Sequence, residues 1–169
     1  MRINVSQIKK DLGASEKVEF KQEISHEFLP RQIKLDGPVE IKASVTNAGE
    51  SIMLKGRLSV KARMQCDRCL EDFITQLKAP LEEEYYLLSE EEESSPSDYD
   101  KATYKNNTID ITPLVEEAIL LSIPMRPLCK EDCQGLCAHC GQNLNTESCD
   151  CDKEVVDIRL EALKKLLDS

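Results

Sequence analysis

Residues 52–64 read IMLKGRLSVKARM, and this stretch has the most regular pattern in the chain. Six apolar side chains occupy even positions, and most odd positions carry a polar or cationic side chain. Such alternation is typical of a β-strand that buries one face. The stretch therefore predicts a long strand with one side in a core and a cationic side in water. The apolar set is Ile52, Leu54, Leu58, Val60, Ala62 and Met64.

The same alternation continues toward the N-terminus, through residues 18–24 and 39–45. Residues 47–50 (NAGE) are typical of a turn and separate the second of these segments from the long strand. Residues 38–64 are therefore predicted to form a β-hairpin.

Beyond the hairpin the chain is expected to turn back after Cys69 and to run through residues 73–77, and residues 81–88 can add a further strand. Residues 1–88 are therefore predicted to form a mainly antiparallel β region. An antiparallel β-meander is its simplest topology.

The pattern changes in the second half of the chain. Residues 82–100 hold nine acids and no base, and their second half also contains Ser and Pro, which is typical of a solvated segment. Thr112 and Pro113 have the character of a helix start, and Pro124 marks its end. Because the helix is apolar on most sides, it is predicted to be buried against the sheet.

These features predict an α+β fold with five segments. Val156, Leu160, Leu163 and Leu167 recur at helical spacing and predict a final amphipathic helix. The predicted segments are the β region 1–88, an acidic flexible loop 89–100, a strand and the buried helix of the same domain in 101–128, a Cys-rich zinc-binding segment 129–152 and a C-terminal helix 153–169.

The chain contains eight cysteines, and six of them lie within residues 129–151. The sequence lacks the apolar run of a membrane helix and the apolar region of a secretion signal, so a cytoplasmic protein with reduced thiols is expected. Metal binding is then the leading explanation for the thiols. Zinc requires four ligands that converge as a tetrahedron, and a C-x2-C turn followed by Gly supplies two of them.

Cys137 and Cys140 have this form, with Gly141 after them. Two pairs can complete their site, either Cys149 with Cys151 or Cys129 with Cys133. The first pair is favoured because it closes a compact ribbon of about eight residues.

Cys66 and Cys69 form a second C-x2-C at the end of the basic strand. Two thiols do not close a structural zinc site, so this pair would need Cys129 and Cys133, or a second molecule. A dithiol redox protein that uses Cys66 and Cys69 is the competing interpretation, although no helix N-terminus is evident to lower a thiol pKa there.

Four longer motifs occur in a fixed order along the chain. They are Cys66-x2-Cys69-Leu70 after the basic strand, the helix phrase that begins IDITPLVEE at Ile109 and runs to IPMRPLC, the Cys-rich CQGLCAHCGQNLN from Cys133, and DIRLEAL from Asp157. Together they resemble the YceD family of large ribosomal RNA subunit accumulation proteins, from bacteria and plastids. Members commonly have Asp-Pro-Arg where this chain has Asp-Ile-Arg. Some members lack the C-terminal Cys cluster, which favours a local structural role for its metal.

The resemblance implies a role in ribosome biogenesis in the cytoplasm. Because the sequence contains no recognisable catalytic motif, we interpret the protein as a non-catalytic factor that supports accumulation of large-subunit (23S) ribosomal RNA. Its expected partner is that RNA or a large-subunit ribosomal protein, with neither a membrane nor a small-molecule substrate. Lys55, Arg57, Lys61 and Arg63 share one side of the predicted strand and are the candidate contacts to phosphate.

An RNA-processing enzyme is the alternative from another functional class. The two histidines, His26 and His139, do not form a catalytic motif, and His139 is expected to be a spacer within the C-x2-C turn. A nuclease would need carboxylates gathered around a metal, and the sequence alone does not place any together.

Overall fold

The computed structural model describes residues 1–25, 27–88 and 102–151 of the chain. Within these residues the chain forms eight strands, one short 3-10 turn and one α-helix. The strands are β1 (Arg2–Asn4), β2 (Ser15–Gln22), β3 (Lys34–Leu35), β4 (Val39–Asn47), β5 (Ser51–Gln65), β6 (Asp72–Leu87), β7 (Ala102–Tyr104) and β8 (Thr108–Asp110); the 3-10 turn is Ile8–Lys10, and the helix is α1 (Thr112–Ser122). The α+β class is confirmed, with sheet predominant.

The main sheet has the strand order β2-β4-β5-β6-β7, and β3 pairs with the far end of β5. The predicted hairpin 38–64 is present as β4 and β5, which pair antiparallel. β7 pairs with β6 in parallel, and β1 and β8 form a separate two-stranded sheet. Within residues 1–88, the strands β2, β4, β5 and β6 are neighbours in chain order and pair antiparallel, as the meander predicted. β3 departs from the simple meander, because it pairs with β5 although it lies between β2 and β4 in the sequence.

β6 is one strand of 16 residues, where the sequence predicted two strands, at 73–77 and 81–88. It pairs with β5 along its length, from Gln65 opposite Asp72 to Ser51 opposite Tyr86. Pro80 lacks a backbone donor but does not interrupt the strand.

The core lies on the face of β5 that the sequence predicted. Its six apolar even-numbered side chains are each at most 2% exposed. They pack with inward side chains of β4 and β6, such as Ile41 and Leu81, and with Ile109, Ile111 and Ile119. Burial of one such side chain stabilises the fold by about 1.5–3 kcal/mol, so this strand organises the domain.

Gly56 is the exception among the even positions of β5. A Cβ there would lie 2.5 Å from the Lys42 carbonyl oxygen and 2.5 Å from the Ala43 Cβ. Contacts that short are not tolerated, so glycine permits the close approach of β4 to β5.

The helix α1 is half-buried, and the prediction of a buried helix is wrong. Val115, Ala118 and Ile119 face the core, whereas Leu121 is 79% exposed and Leu120 is 41% exposed. The buried positions follow helical spacing, so only one stripe of the helix can contact the sheet. The helix begins at Thr112 and ends at Ser122, before Pro124 as expected.

Three predictions fall outside the described residues. They concern the acidic flexible loop 89–100, the C-terminal helix 153–169 and His26.

Candidate metal centres and candidate nucleic-acid interface

The first cysteine cluster consists of Cys66, Cys69, Cys129 and Cys133, whose sulfur atoms all lie within 4.8 Å of one another. The Sγ atoms of Cys66 and Cys133 are 3.8 Å apart, and those of Cys69 and Cys129 are 3.7 Å apart. A tetrahedron with Zn–S bonds of about 2.3 Å has S···S edges of about 3.8 Å. The spacing of the four thiols therefore fits a tetrahedral metal site.

Local backbone geometry brings the first two thiols of this cluster together. Cys66 and Cys69 form the tip of the β5–β6 hairpin, where Leu70 has φ of 59° and its N–H donates to the Cys66 carbonyl at 2.9 Å. The Asp67 N–H donates to the Pro127 carbonyl at 2.9 Å, which ties the tip to the chain that follows α1.

Arg68 lies between these two cysteines and holds the Cys-rich segment in place. Its guanidinium donates to the Cys133 carbonyl at 2.8 Å, and its own carbonyl accepts from the Leu136 N–H at 3.0 Å. Gly135 permits this contact, because its φ is +74° and a Cβ there would lie 3.0 Å from the Arg68 carbonyl oxygen.

Two sulfurs of the first cluster are stabilised as thiolates. Burial acts to raise the pKa of Cys66, but hydrogen bonds from the backbone N–H groups of Cys69, Cys129 and Arg68 lower it to about 6. Burial likewise opposes ionisation of Cys133, but a hydrogen bond from the Asn145 amide and one from a backbone N–H lower its pKa. Amides that point at sulfur orient thiolates for a metal.

The other two thiols of this cluster favour the protonated form without a metal. Burial, together with hydrogen bonding to Cys133, raises the pKa of Cys129 to about 12. The backbone N–H of Glu71 acts to lower the pKa of Cys69, but burial together with hydrogen bonding to Cys66 and Cys133 outweighs it and raises that pKa. A metal ion would displace these protons, since thiolates are the ligands.

The second cysteine cluster consists of Cys137, Cys140, Cys149 and Cys151, and its sulfur atoms also lie within 4.8 Å of one another. It is more exposed than the first, with Cys140 at the surface. All eight thiols are free in the structure.

A tight turn builds the second cluster. The Gly141 N–H donates to the Cys137 carbonyl at 2.9 Å, and Gly141 has φ of +73°, a conformation that favours glycine. Backbone N–H groups of Cys140 and His139 lower the pKa of Cys137 to about 6. His139 contributes its backbone and belongs to neither group of candidate ligands.

Asn145 connects the two clusters. Its side-chain amide donates to the Cys133 sulfur at 3.4 Å, and its side-chain oxygen accepts from the Gln134 N–H at 2.9 Å. The Leu144 N–H donates to the Gly135 carbonyl at 2.9 Å. The loop that carries the second cluster therefore also supports a sulfur of the first.

The structure brings together both sets of four thiols that the sequence offered as candidates, including the less favoured grouping of Cys66 and Cys69 with Cys129 and Cys133. Either set could hold a metal ion. A C-x2-C and a C-x3-C, 60 residues apart, were the only signal for the first cluster, and sequence spacing does not reveal such a long-range pairing.

The four cations named from the sequence all lie on the face of β5 opposite the core, and all are exposed. Lys55 forms an ion pair with Glu82 at 2.7 Å, which raises its pKa, and Arg63 pairs with Asp36 at 3.7 Å. Among the described residues, no carboxylate lies within 4.0 Å of Arg57 or Lys61. Half of the predicted cationic stripe is therefore already neutralised.

Two further cations on neighbouring strands belong to the same face. Lys42 is opposite Arg57 in β4, and Lys78 is opposite Ser59 in β6. Arg57, Lys42 and Lys78 line a depression of about 440 Å³ on this face. Sequence reasoning missed Lys42 and Lys78 because strand register determines which cations are neighbours.

No helix in the described part of the chain is long and apolar enough to cross a bilayer.

Comparison with known proteins identifies several relatives. An uncharacterised protein of Mycobacterium leprae (strain TN) is 26% identical over 116 residues, which are 68% of this chain and 53% of that protein. The uncharacterised protein YlbN of Bacillus subtilis (strain 168) is 31% identical over 143 residues, 82% of this chain and 80% of YlbN. The chain thus spans about half the length of the mycobacterial relative. No solved structure matches the present chain.

A shorter match carries a functional name. The chloroplastic "Large ribosomal RNA subunit accumulation protein YCED homolog 1" of Arabidopsis thaliana is 39% identical over 49 residues, 29% of this chain and 15% of the plant protein. A family model described as "Large ribosomal RNA subunit accumulation protein YceD" matches residues 54–167, which include the cationic side of β5 and all eight cysteines. The chain therefore belongs to the YceD family.

Proposed function

We propose that this protein is a non-catalytic ribosome biogenesis factor that acts in the cytoplasm and supports accumulation of large-subunit (23S) ribosomal RNA by binding that RNA through the cationic face of its sheet. One observation carries the proposal: the region matched by the family, residues 54–167, contains the four exposed cations on the solvent face of β5. A large-subunit ribosomal protein is the alternative partner for this face.

The chemistry of the face supports RNA as the partner. Exposed Lys and Arg side chains neutralise phosphates and release condensed counterions, which gives affinity without base recognition. The described residues that line the depression around Arg57 are mainly aliphatic and charged and include no aromatic side chain, which does not favour stacking of single-stranded bases there. Contact with the shape and the phosphates of folded RNA fits this surface better.

Each cysteine cluster is proposed to hold one structural zinc ion. Four cysteine sulfurs within 4.8 Å of one another suit a soft tetrahedral ion, and the backbone amides that point at Cys66 and Cys137 would support such a site. A bound zinc ion would cross-link separate segments of the chain and so provide stability that would otherwise require a larger hydrophobic core. Through the first cluster, that cross-link joins the β5–β6 hairpin to the segment after α1.

The burial of Cys66 and Cys69 favours this structural role over dithiol redox chemistry. Their side chains are 0% and 3% exposed, and their sulfurs face Cys133 and Cys129. Thiol exchange requires access to the attacking sulfur, which this packing denies.

The carboxylates of the sheet face favour a binding role over RNA hydrolysis. Glu40 pairs with Lys21 at 2.8 Å, and Glu82 pairs with Lys55. A hydrolytic centre would gather carboxylates around a metal, whereas these are distributed among lysines.

Crosslinking of the protein to RNA in cells, followed by sequencing of the bound RNA, tests the proposed function. The expected result is enrichment of large-subunit ribosomal RNA over small-subunit ribosomal RNA and messenger RNA. Equal recovery of all three classes would overturn the proposal.

A further inference from the structure

Three cations on the solvent face of the sheet surround one hydroxyl group. Ser59 lies opposite Lys78 in the register of β5 and β6, and Arg57 and Lys61 are two residues before and after Ser59 on the same face. Residues two apart in a strand are about 6.6 Å apart. Long cationic side chains at these positions can therefore reach a common ligand above Ser59.

The register of the sheet explains why these cations are not paired. The side chains opposite Arg57 are Pro80 and Lys42, and Gln76 lies opposite Lys61. None of these three is an acid. Asp36 lies on the other side of Lys61, where its N–H donates to the Lys61 carbonyl at 2.8 Å, but its carboxylate pairs with Arg63. Within the described ranges no carboxylate lies within 4.0 Å of Arg57, Lys61 or Lys78. Lys55 differs because its register partner in β6 is Glu82, and the two are 2.7 Å apart.

The acid opposite Ser59 in β4 is already engaged. Glu40 is the β4 partner of Ser59, but Lys21 binds its carboxylate at 2.8 Å from the side of β2. This hydrogen bond is the main reason that the pKa of Glu40 is lowered. The charges of Lys42 and Lys61 lower the pKa of Glu40 further, so this carboxylate offsets part of the positive charge around Ser59. One carboxylate shared among several cations leaves this surface net positive and available to an external anion.

The surface at this point is concave. Arg57, Ser59 and Lys78 line the depression of about 440 Å³, and Arg57 also lines an adjoining depression of about 550 Å³ between β2, β4 and β5. A concave cationic site can contact a phosphate from several directions. Arg57 lines both depressions, as does its β4 neighbour Lys42, which pairs with Glu19 at 3.8 Å.

The hydroxyl of Ser59 is oriented by a neighbour. The Gln76 amide donates a hydrogen bond to the Ser59 oxygen at 2.7 Å. A hydroxyl that accepts one hydrogen bond still has its own proton to donate. Arg forms paired hydrogen bonds to phosphate, and Lys binds it as a point charge.

We propose that Arg57, Lys61 and Lys78, with the Ser59 hydroxyl between them, form a binding site for neighbouring backbone phosphates of RNA. The inference rests on the proposed function and deepens it, because it separates these free cations from the ion-paired cations Lys55 and Arg63 of the same strand. Lys78 is a member of the site that the charge pattern of β5 does not reveal.

Two variants with the same change in composition test the site. Arg57→Gln with Lys61→Gln removes two free cations, and Lys55→Gln with Arg63→Gln removes two paired cations. Each double variant loses one Arg and one Lys from one face of β5, so their long-range effects on RNA are alike. Far-UV circular dichroism confirms that both remain folded.

The probe is in vitro transcribed large-subunit ribosomal RNA, titrated at several salt concentrations. For the free-cation variant we expect at least a tenfold loss of affinity and a slope of log affinity against log salt that is smaller by about 1.8, the value for two phosphate contacts. For the paired-cation variant we expect less than a threefold loss and a nearly unchanged slope. Lys78→Gln should reduce the slope by about 0.9. Ser59→Ala should weaken binding without changing the slope.

Equal losses in the two double variants would overturn this inference and leave the proposed function standing, because the whole face would then bind diffusely. No binding of the wild-type protein to RNA at low salt would overturn both. Unchanged RNA affinity in the free-cation variant, together with lost binding to a large-subunit ribosomal protein, would also overturn the site and assign the face to a protein partner.

Discussion

Cys129→Ser and Cys140→Ser each remove one thiolate from a different cluster, and we expect them to destabilise the protein by different amounts. The first cluster joins Cys69 to Cys129, which are 60 residues apart. In the second cluster, Cys140 and Cys149 are nine residues apart. Because loop-closure entropy grows as (3/2)RT ln n, the longer loop restricts the unfolded chain by about 1.7 kcal/mol more.

Cys129→Ser should therefore lower the free energy of unfolding by about 1.7 kcal/mol more than Cys140→Ser does. The contribution of the Zn–S bonds themselves is similar in two sites of four thiolates and cancels in this comparison. Cys140→Ser should loosen residues 129–151 and leave the sheet folded, since the core of the sheet is separate from the second cluster.

Urea unfolding followed by far-UV circular dichroism in zinc-containing buffer measures this difference. Elemental analysis of the same samples should find two zinc ions per chain in the wild-type protein and one in each variant. Reduced wild-type protein without zinc or iron would refute the metal sites. A loss of stability in Cys140→Ser as large as that in Cys129→Ser would refute the cross-linking argument.

Three further predictions concern the fold. Gly56→Ala should lower the free energy of unfolding by about 1–3 kcal/mol, because the new Cβ would lie 2.5 Å from a carbonyl oxygen of β4. An unchanged melting temperature would contradict this prediction. Ile119→Ala in α1 should lower the free energy of unfolding by about 2–5 kcal/mol, whereas Leu121→Ala should change it by no more than about 0.5 kcal/mol. Equal losses of stability in chemical denaturation would contradict the half-buried helix. Replacing residues 89–100 with a Gly/Ser linker should leave the melting temperature nearly unchanged, because their composition buries little apolar area, and a large drop would show that the segment packs.

The alternation in residues 52–64 was sufficient to predict β5, its buried face and its cationic face, because a strand places successive side chains on opposite sides. It could not predict that Lys55 and Arg63 are neutralised. The pairing of β5 with β6 and with β3 places Glu82 next to Lys55 and Asp36 next to Arg63. A single strand's sequence does not reveal which residues of other strands become its neighbours.

The degree to which α1 is buried could not be predicted from the sequence, for a different reason. An apolar run at 118–121 predicted burial on most sides, but a single helix packed on a sheet has only one stripe in contact. Leu120 and Leu121 therefore lie outside that stripe. Sequence composition indicates how apolar a helix is, and tertiary packing decides how much of it is covered.

The two cysteine clusters could be predicted from the sequence only in part. The compact grouping around Cys137 and Cys140 was accessible from local spacing, because all four thiols lie within 15 residues. The grouping of Cys66 and Cys69 with Cys129 and Cys133 depends on the return of the chain after α1 to the β5–β6 hairpin. That return rests on contacts such as the Arg68 guanidinium with the Cys133 carbonyl, which have no local sequence signature.

The ratio of large-subunit to small-subunit ribosomal RNA in cells depleted of this protein tests the central claim most directly. The ratio should fall on depletion, and the wild-type protein and the Lys55→Gln, Arg63→Gln variant should both restore it. The Arg57→Gln, Lys61→Gln variant should fail to restore it at equal protein levels. An unchanged ratio after depletion would contradict a role in large-subunit RNA accumulation. Full restoration of the ratio by the Arg57→Gln, Lys61→Gln variant would contradict the proposal that the protein acts by binding RNA through the cationic face.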